Sequence, residues 1–306
     1  MRMLVTGGAG FVGSTLVDRL LAEGHAVDVL DDLSTGRLDN LAEARSDRSH
    51  EITFHTVDIR TPETPDVIAR RSPEVIFHLA ARPGVDAATD AEIGVLGTLR
   101  VLEGARLAGV RKVVFASSAG VYGEVDPAEL PVREGAPQRP VSMHGVAKKA
   151  ALEYLLAYRE LHGIEFTALA LATVYGPRQV APAVVPSLLG RLLAGEACVV
   201  TGDGSQTRDL VYVDDVVDAL VRSADRGSGL LVNVGTGRET SVADLLGVLA
   251  AQAGVPAPAV AVAPSPAGER RRVALDPGRA RIHLGWSPWT TLDVGVAEVV
   301  RSRVRS

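Results

Sequence analysis

The chain has 306 residues, a formal net charge of −5 and a single cysteine, Cys198. This length predicts one large domain with a smaller one attached, and the acidic balance gives no electrostatic case for nucleic acid as a partner. One cysteine excludes an internal disulfide and a thiolate metal cluster, and we expect no metal site. No apolar run reaches transmembrane length, and the first residues lead directly into a strand pattern. We therefore expect no membrane partner and a cytoplasmic location.

A glycine-rich turn follows the first apolar run. Gly7, Gly10 and Gly13 stand between a strand pattern and an amphipathic stretch that starts with Phe11 and Val12. Such glycines allow a tight turn and a close backbone approach to a pyrophosphate, while the helix N-terminus offers N–H groups to the anion. A glycine-rich turn of another α/β protein is the alternative. The order strand, turn, helix, strand and acid favours dinucleotide binding. We assign Phe11 and Val12, together with the three glycines, to the cofactor site.

The second strand pattern, residues 26–31, ends in an acidic pair. Asp31 stands where this fold places a partner for the adenosine ribose hydroxyls. A 2′-phosphate would meet the carboxylates of Asp31 and Asp32, and the nearest counter-charge, Arg37, lies beyond the turn. We therefore expect NAD rather than NADP. The residues of the turn, which we also assign to the cofactor, are Ser34, Thr35 and Gly36.

Short β-branched runs alternate with longer helical patterns over the first 175 residues. The strand candidates are 2–6, 26–31, 51–58, 74–80, 112–118 and 165–174, and the clearest helices are 91–108 and 144–162. This alternation predicts an α/β fold, a Rossmann-type doubly wound parallel sheet that binds NAD and spans residues 1–175.

The pattern becomes irregular after residue 176. Helices are predicted at 188–194, 214–225 and 241–253, strands at 198–201 and 231–234, and a proline-punctuated segment at 256–266. We predict a smaller, mainly substrate-binding lobe over 176–306, with segments near 210–236 returning to the NAD-binding sheet. The arginines at 301, 303 and 305 are read as a solvated tail.

Seven motifs together resemble one known family. They are residues 6–13, 31–36, 57–58, 78–81, 116–123, 173–177 and 202–209. Over nearly its whole length the chain is similar to extended short-chain dehydrogenases/reductases of the nucleotide-sugar epimerase and dehydratase group. The resemblance implies that Asp58 and Ile59 flank the adenine. It places Leu79, Ala80 and Ala81 along the cofactor, and Ser118, Thr173, Arg208 and Arg271 on the sugar nucleotide.

Arg208 also has a physical argument, because a guanidinium grips phosphate with two hydrogen bonds. The alternative is a surface arginine that pairs with Asp203 or Asp209. The match of the surrounding residues favours the role on the diphosphate.

The catalytic group of the family is Ser or Thr with Tyr-x-x-x-Lys. Ser118 fits the first position and Lys148 the last, where its ammonium would hold the nicotinamide ribose and favour the deprotonated form of a nearby base. Here His144 stands in the place of the tyrosine. Positions i and i+4 share a helix face, so His144 and Lys148 can both point into the cleft.

Three interpretations of His144 compete. It replaces tyrosine as the acid/base, because a neutral imidazole next to an ammonium keeps a free acceptor at neutral pH. It packs or hydrogen-bonds in an enzyme whose proton transfer has moved elsewhere. Or the change disables catalysis and leaves binding alone. We favour the first, since histidine is the most frequent acid/base side chain.

Other departures from the family bear on the reaction. Ala119 and Gly120 stand where 4,6-dehydratases carry an Asp-Glu pair, which argues for an epimerase. Gly94 replaces a usual asparagine, so support of the active-site backbone is in question. At position 173 the threonine is similar to that of the UDP-glucuronate 4-epimerases. Those enzymes hold the sugar carboxylate with an arginine seven residues later, where this chain has Val180. Arg178 and Arg82 are the candidates to replace that arginine. Asp86 stands at a commonly basic position, where its carboxylate would disfavour an acidic sugar, act as a displaced catalytic group or cap a helix.

We therefore predict an NAD-dependent epimerase, an isomerase, acting at C4 of a nucleoside-diphosphate sugar, with UDP as the expected nucleotide. The alternative is a dehydratase of the 4,6- or the 5,6-type, the latter on UDP-N-acetylglucosamine. A third hypothesis is a cofactor-bound protein that binds a sugar nucleotide without turnover.

A homodimer is also expected. The helices at 91–108 and 144–162 carry more apolar residues than one sheet-facing stripe requires, and in the family such helices pair across a two-fold axis. These apolar residues are Val95, Leu96, Leu99, Val101, Leu102, Leu152, Leu155, Leu156 and Leu161.

Overall fold

The computed structural model describes residues 1–47, 49–82, 86–202, 206–256, 259–264 and 271–304. The strands in these ranges are β1 (Arg2–Thr6), β2 (Ala26–Asp31), β3 (Ile52–Thr56), β4 (Val75–His78), β5 (Lys112–Ser118), β6 (Glu165–Leu171), β7 (Thr173–Tyr175), β8 (Cys198–Thr201), β9 (Thr207–Arg208), β10 (Leu210–Tyr212), β11 (Leu230–Val234), β12 (Thr240–Ser241) and β13 (Val260–Ala263). The α-helices are α1 (Phe11–Ala22), α2 (Ala42–Ser46), α3 (Thr64–Arg71), α4 (Ala87–Ala91), α5 (Thr98–Ala108), α6 (Met143–His162), α7 (Val184–Leu193), α8 (Val213–Ser223), α9 (Val242–Ala253), α10 (Gly278–Leu284) and α11 (Leu292–Val304).

Seven strands form one parallel sheet in the order β11-β6-β5-β4-β1-β2-β3. β1 lies between β2 and β4, so that Met3 is opposite both Val27 and Val75. The winding therefore reverses between β1 and β4, and open sheets of this kind bind ligands at the carboxyl ends of the strands at such a point. Helices α3, α5 and α6 pack together on one face, and α1 and α8 on the other. The predicted Rossmann-type doubly wound fold is confirmed.

The middle strands are apolar on both faces because helices cover both faces. Leu4, Val5, Ile76, Phe77 and Val114 are all fully buried. Continuous burial of this kind is typical of parallel sheets and explains the β-branched runs in the sequence.

The run 165–174, predicted as one strand, is two. β6 ends at Leu171, and β7 pairs with β10 in a separate two-stranded sheet. Between them Ala172 donates its N–H to Val234 (2.9 Å), whereas Thr173 donates to the carbonyl of Asp209 (2.9 Å). The backbone thus changes partners between consecutive residues, which hydrophobic periodicity does not reveal.

The predicted helix 91–108 begins earlier, at Ala87, and is interrupted by a π-helical segment, Glu92–Gly97. The hydroxyl of Thr98 donates to the carbonyl of Gly94 at 2.7 Å. A side-chain donor on the carbonyl four residues earlier competes with the regular backbone ladder. The segment packs against α6. Its irregular geometry therefore determines which of its side chains contact that helix.

Among the described residues after β7, β11 joins the main sheet and α8 packs on one of its faces, while β12 with β9 and β13 with β8 form two small sheets apart from it, called here the small lobe. The predicted strand 198–201 is β8, and the proline-punctuated segment contains its parallel partner β13. Arg301 and Arg303, read as a solvated tail, belong to helix α11 instead, and Arg305 lies outside the described residues. Among the described helices, none combines the length and the apolarity needed to cross a bilayer.

A lysine is buried at the amino ends of the sheet strands, the end opposite the glycine turn. Lys112 begins β5 with 1% of its surface exposed, and its Nζ donates to the carbonyl of Arg226 at 2.6 Å. Burial, helped by the neighbouring Arg111, lowers the pKa of Lys112 to about 8, because the ammonium loses hydration there.

This lysine predicts a stability change with pH. Below pH 8 the folded and unfolded states both hold the Lys112 proton, whereas above it the folded state loses the proton first. The free energy of unfolding should therefore rise with pH until the unfolded lysine also titrates. Relative to Lys112→Met, the increase should reach about 3 kcal/mol. Urea unfolding of both proteins between pH 7 and pH 10 measures it, and a difference that stays constant with pH would contradict it.

Candidate functional site

A cavity of about 1020 Å³ opens at the carboxyl ends of the central strands. It lies at the reversal of winding, where the fold predicts a ligand. Most residues predicted to hold the cofactor line it, namely Gly7, Gly10, Phe11, Val12, Gly13, Asp31, Asp32, Ser34, Thr35, Asp58, Ile59, Leu79, Ala80 and Ala81. Gly36 instead packs behind the wall, where an added Cβ would lie 2.9 Å from Oδ1 of Asp31. Lys148 lines a neighbouring cleft.

The glycine turn fits a pyrophosphate. Gly7 has a φ of +71°, and an added Cβ would lie 2.9 Å from the backbone of Ala80. A Cβ on Gly13 would collide with the carbonyl oxygen of Gly7. Helix α1 begins after Gly10 with no side-chain cap. The first N–H groups of this helix are therefore left for an anion.

Asp31 is held in place by backbone donors. Its two oxygens accept from the N–H of Ala9 (2.9 Å) and of Leu33 (2.8 Å). Burial raises the pKa of Asp31, and these two hydrogen bonds oppose the rise. Arg37 also lines the cavity, so it lies closer to the predicted cofactor site than its sequence position suggested. Asp58 forms hydrogen bonds with Arg60 at 2.6–3.0 Å, which lowers the pKa of Asp58.

A buried histidine holds the Leu79–Ala81 wall of the cavity. Nδ1 of His78 lies 2.7 Å from the hydroxyl of Thr6, which also accepts from the N–H groups of Leu79 and Ala80 (3.2 Å each). Nε2 lies 3.0 Å from the hydroxyl of Thr98, whose proton is donated to Gly94. Nε2 must therefore carry the imidazole proton. Burial, together with Lys148, lowers the pKa of His78 to about 3, so the ring is neutral.

A second, smaller cleft adjoins the cavity and contains the residues predicted for proton transfer. His144 and Lys148 line it, together with Ala81, Arg82, Asp90, Ile93, Gly94 and Ala147. Nδ1 of His144 lies 3.7 Å from Oδ1 of Asp90. The Nζ of Lys148 lies 4.6 Å from the ring centroid of Phe115, and burial lowers its pKa to about 8, against the opposing charge of Asp90. The predicted shared helix face of His144 and Lys148 is confirmed.

Ser118 ends β5 close to the start of α6. Its Oγ accepts from the N–H of Gly120 at 3.0 Å. An added Cβ on Gly145 would lie 2.6 Å from the carbonyl oxygen of Gly120. The segments that carry Ser118 and His144 are thus in contact.

The remaining predicted substrate residues, Arg208 and Arg271 in the small lobe and Thr173 in β7, lie outside the described linings of the cavity and the cleft. Arg208, in β9, donates to the carbonyl of Thr207 at 2.9 Å, and the N–H of Thr207 donates to Arg271 at 2.9 Å. The N–H of Arg271 lies 3.3 Å from the carboxylate of Glu124. Arg208 and Arg271 are therefore brought together. Thr173 begins β7.

Of the aspartates that were alternatives as partners of Arg208 or as a catalytic group, the two that the structure describes have other contacts. Asp209 is fully buried and accepts from Thr236, Gly237 and Leu275 at 2.5–3.0 Å, and Asp203 lies outside the described residues. Asp86 is a helix cap, since it accepts from the N–H and hydroxyl of Thr89.

The two arginines proposed to substitute at Val180 differ in position. Arg178 forms an ion pair with Asp18 (2.7 Å) on the wall of the large cavity. Arg82 lines both the cavity and the cleft.

Sequence reasoning missed part of the cavity. Asn40, the segment 177–183, Ser302 and Arg303 also line it. The segment directly follows the Tyr175-Gly176 motif and could have been found from that position. Nothing in the sequence links α11 to a turn at the other end of the chain.

Comparison with known proteins identifies the family. Residues 3–235 match the model of the NAD dependent epimerase/dehydratase family. The chain belongs to this family. It is 47% identical over 310 residues to a UDP-glucose 4-epimerase of Mycolicibacterium smegmatis, covering 98% of this chain and 97% of that protein.

Solved structures of family members are also similar. A UDP-glucose 4-epimerase of Thermotoga maritima, solved with UDP-glucose, has a TM-score of 0.93 at 36% identity, covering 100% of this chain and 99% of that one. The UDP-glucose 4-epimerase of Thermus thermophilus, solved with NAD, has a TM-score of 0.91 at 36% identity, covering 99% and 98%. The predicted family and the predicted cofactor, NAD, are confirmed.

The geometry of Asp31 predicts the basis of cofactor choice. Asp31→Ala removes a buried carboxylate from the cavity wall, so NAD should bind roughly tenfold or more weakly and its advantage over NADP should shrink. Calorimetric titration of both cofactors measures this. Asp32→Ala, which removes an exposed carboxylate, is the control and should have a smaller effect. Equal affinity of the unaltered protein for NADP would contradict the role of Asp31.

Proposed function

We propose that this protein is an NAD-dependent epimerase that inverts C4 of a UDP-sugar through a transient 4-keto sugar. The main observation in support is that His144 and Lys148 share a cleft next to the large cavity. Ala81, Arg82 and Ile93 line both the cleft and the cavity. An acid/base and a cofactor must reach the same carbon for this reaction. The UDP-glucose 4-epimerases among its relatives support this substrate class.

Each catalytic residue has a distinct proposed role. The cavity residues would hold NAD, which when bound would supply the hydride acceptor and donor for the sugar carbon. His144 takes the proton of the C4 hydroxyl and later gives it back. Ser118 hydrogen-bonds the same sugar oxygen. Lys148 holds the nicotinamide ribose and contributes positive charge beside the reacting oxygen.

The small lobe is the proposed holder of the nucleotide and the sugar. Arg208 would bind the diphosphate, and Arg271 lies beside it through Thr207. Thr173 would contact the sugar from the start of β7. We assign residues 1–175, with the return segments near 210–236, to NAD binding and the rest of 176–306 mainly to the substrate. The cytoplasmic location is proposed from the sequence pattern alone.

The dehydratase alternative finds no acid at the two positions after Ser118. Expelling a hydroxyl from the 4-keto sugar requires an acid that protonates it. Ala119 and Gly120 follow Ser118 directly and are buried in a 3₁₀ turn. They offer no such group, which favours epimerisation over dehydration.

Product analysis separates the three hypotheses. The NAD-loaded protein is incubated with UDP-glucose, UDP-N-acetylglucosamine and UDP-glucuronate in turn, and the products are examined by mass spectrometry and NMR. A C4 stereoisomer of unchanged mass supports the epimerase. Loss of one water indicates the dehydratase, and complete recovery of all three substrates contradicts turnover.

The role of His144 predicts a specific kinetic effect. His144→Ala should lower turnover roughly a hundredfold or more, the usual scale for losing an acid/base, while NAD stays bound. Turnover of the unaltered enzyme at saturating substrate should fall as the pH drops through the histidine range, because the base must be neutral. His144→Tyr restores the side chain of the family and should keep more activity than the alanine variant. Full turnover of His144→Ala would contradict this role.

We also propose that two copies pair through α6. Leu152, Leu155, Val101 and Leu102, which the sequence offered for pairing, are buried in the chain's own core. The exposed apolar side chains of α6 are Met143, Val146, Tyr154, Leu156 and Leu161. Met143, Val146, Tyr154 and Leu161 are spaced so that all four lie on the same side of the helix, where they form one apolar stripe.

A charge in this stripe should separate the dimer. Leu161 is 75% exposed in the single chain, and Leu161→Arg would place like charges in an apolar interface. Light scattering at micromolar concentration should give two chains for the unaltered protein and one for the variant. Ile282→Arg, a change at a similarly exposed position on α10, is the control and should stay dimeric. A monomeric unaltered protein would contradict the pairing.

A further inference from the structure

The cleft contains one carboxylate that the proposed reaction does not yet use. Asp90 is 8% exposed and lies in α4, on the side that packs against α6. Among the described residues, His144 is the one basic side chain with a nitrogen within 4.0 Å of its carboxylate. Nδ1 is the nearer ring nitrogen, at 3.7 Å. Catalytic hydrogen bonds are often this long before substrate binds.

Close packing of small residues brings the two side chains together. An added Cβ on Gly94 would lie 2.8 Å from the Cβ of Ala147. The asparagine that the family usually carries at position 94 would therefore press against α6. Gly94 lets the π-helical segment approach the turn of α6 that links His144 to Lys148. Two departures from the family pattern, Gly94 and His144, thus lie on the two segments that this contact joins.

The chemistry of histidine explains the need for a carboxylate. A tyrosine base acts as a phenolate and becomes neutral when it accepts a proton, so a neighbouring ammonium favours its reactive form. Neutral His144 instead becomes a cation, and the ammonium of Lys148 opposes that change. A carboxylate beside Nδ1 of the ring offsets this repulsion. It also holds the proton on Nδ1 and leaves Nε2 as the acceptor.

We propose that Asp90 is the positioning residue of His144, forming with it an Asp-His pair that replaces the tyrosine of the family. This inference rests on the proposed function. The C4 hydroxyl gives its proton to Nε2 of His144 as the hydride leaves C4, and Nδ1–H stays bonded to Asp90. On return of the hydride, the same proton goes back from Nε2 to the sugar oxygen, so no proton is gained or lost.

The first test measures the pair without turnover. Histidines of the NAD-loaded protein are labelled with ¹⁵N and titrated by NMR, and His144→Ala identifies the resonances of His144 among the seven histidines. The charges facing His144 in the cleft are Asp90, Lys148 and Arg82. Asp90→Asn removes the one negative charge among them. The His144 titration should therefore move to lower pH by about one unit.

A matched control changes the same charge elsewhere. Asp86→Asn removes the carboxylate four positions earlier, and asparagine keeps the helix cap. Asp86 lies outside the cleft lining, although it acts on the pKa of Asp90. Its substitution should leave the His144 titration within a few tenths of a unit of its original position. A titration that Asp90→Asn does not move, or that Asp86→Asn moves equally, would overturn the proposal.

The second test separates Asp90 acting through His144 from Asp90 acting through Lys148 or the fold. Asp90→Asn should lower kcat about tenfold or more with little change in KM or NAD content. Added to His144→Ala, it should lower kcat no further, since the residue through which it acts is gone. A further loss in the double variant, or an unchanged kcat in the single one, would overturn the pairing. If His144→Ala keeps full turnover, the proposed base itself fails, independently of the NMR result.

Discussion

A neutral imidazole buried between three elements fixes the geometry around the cofactor. His78 ends β4 and bonds to Thr6 at the end of β1 and to Thr98 at the start of α5. Through Thr6 it fixes the wall beside the glycine turn, and through Thr98 it reaches the carbonyl of Gly94. A charged ring would carry a proton on Nδ1 and could not accept from Thr6. Burial therefore stabilises the single protonation state that serves all of these contacts.

The same burial governs the charges of the cleft. Lys148 is 4% exposed and its ammonium lies over the ring of Phe115, so its charge is poorly solvated. The charge of Lys148 lowers the pKa of His78, and the charge of Asp90 raises that of Lys148. The cofactor wall and the proton-transfer cleft are thus electrostatically coupled. A change in the charge of Lys148 would therefore alter the pKa of His78, because charges interact strongly where water is excluded.

Features carried by local chemistry could be read from the sequence. The glycine turn needs residues without a Cβ, and the doubly wound sheet needs apolar runs between helices, so both were predicted. The π-helical segment contains a side-chain hydrogen bond from Thr98 to Gly94, and the strand break at Ala172 involves distant partners, Val234 and Asp209. Neither leaves a periodic signal. The approach of Ser302 and Arg303 to the cavity depends on the docking of α11, which no local pattern encodes.

The site illustrates the same limit. His144 and Lys148 are four positions apart on one helix, and their shared face followed from spacing alone. The nearness of Asp90 to His144 did not, because it requires the packing of α4 and the π-helical segment against α6, and that packing depends on Gly94 and Ala147. In the sequence, Gly94 was only a missing asparagine whose effect on the backbone was in question. In three dimensions it is the small residue at which two helical segments approach closely. That approach lets a carboxylate face the imidazole that stands in place of a phenol.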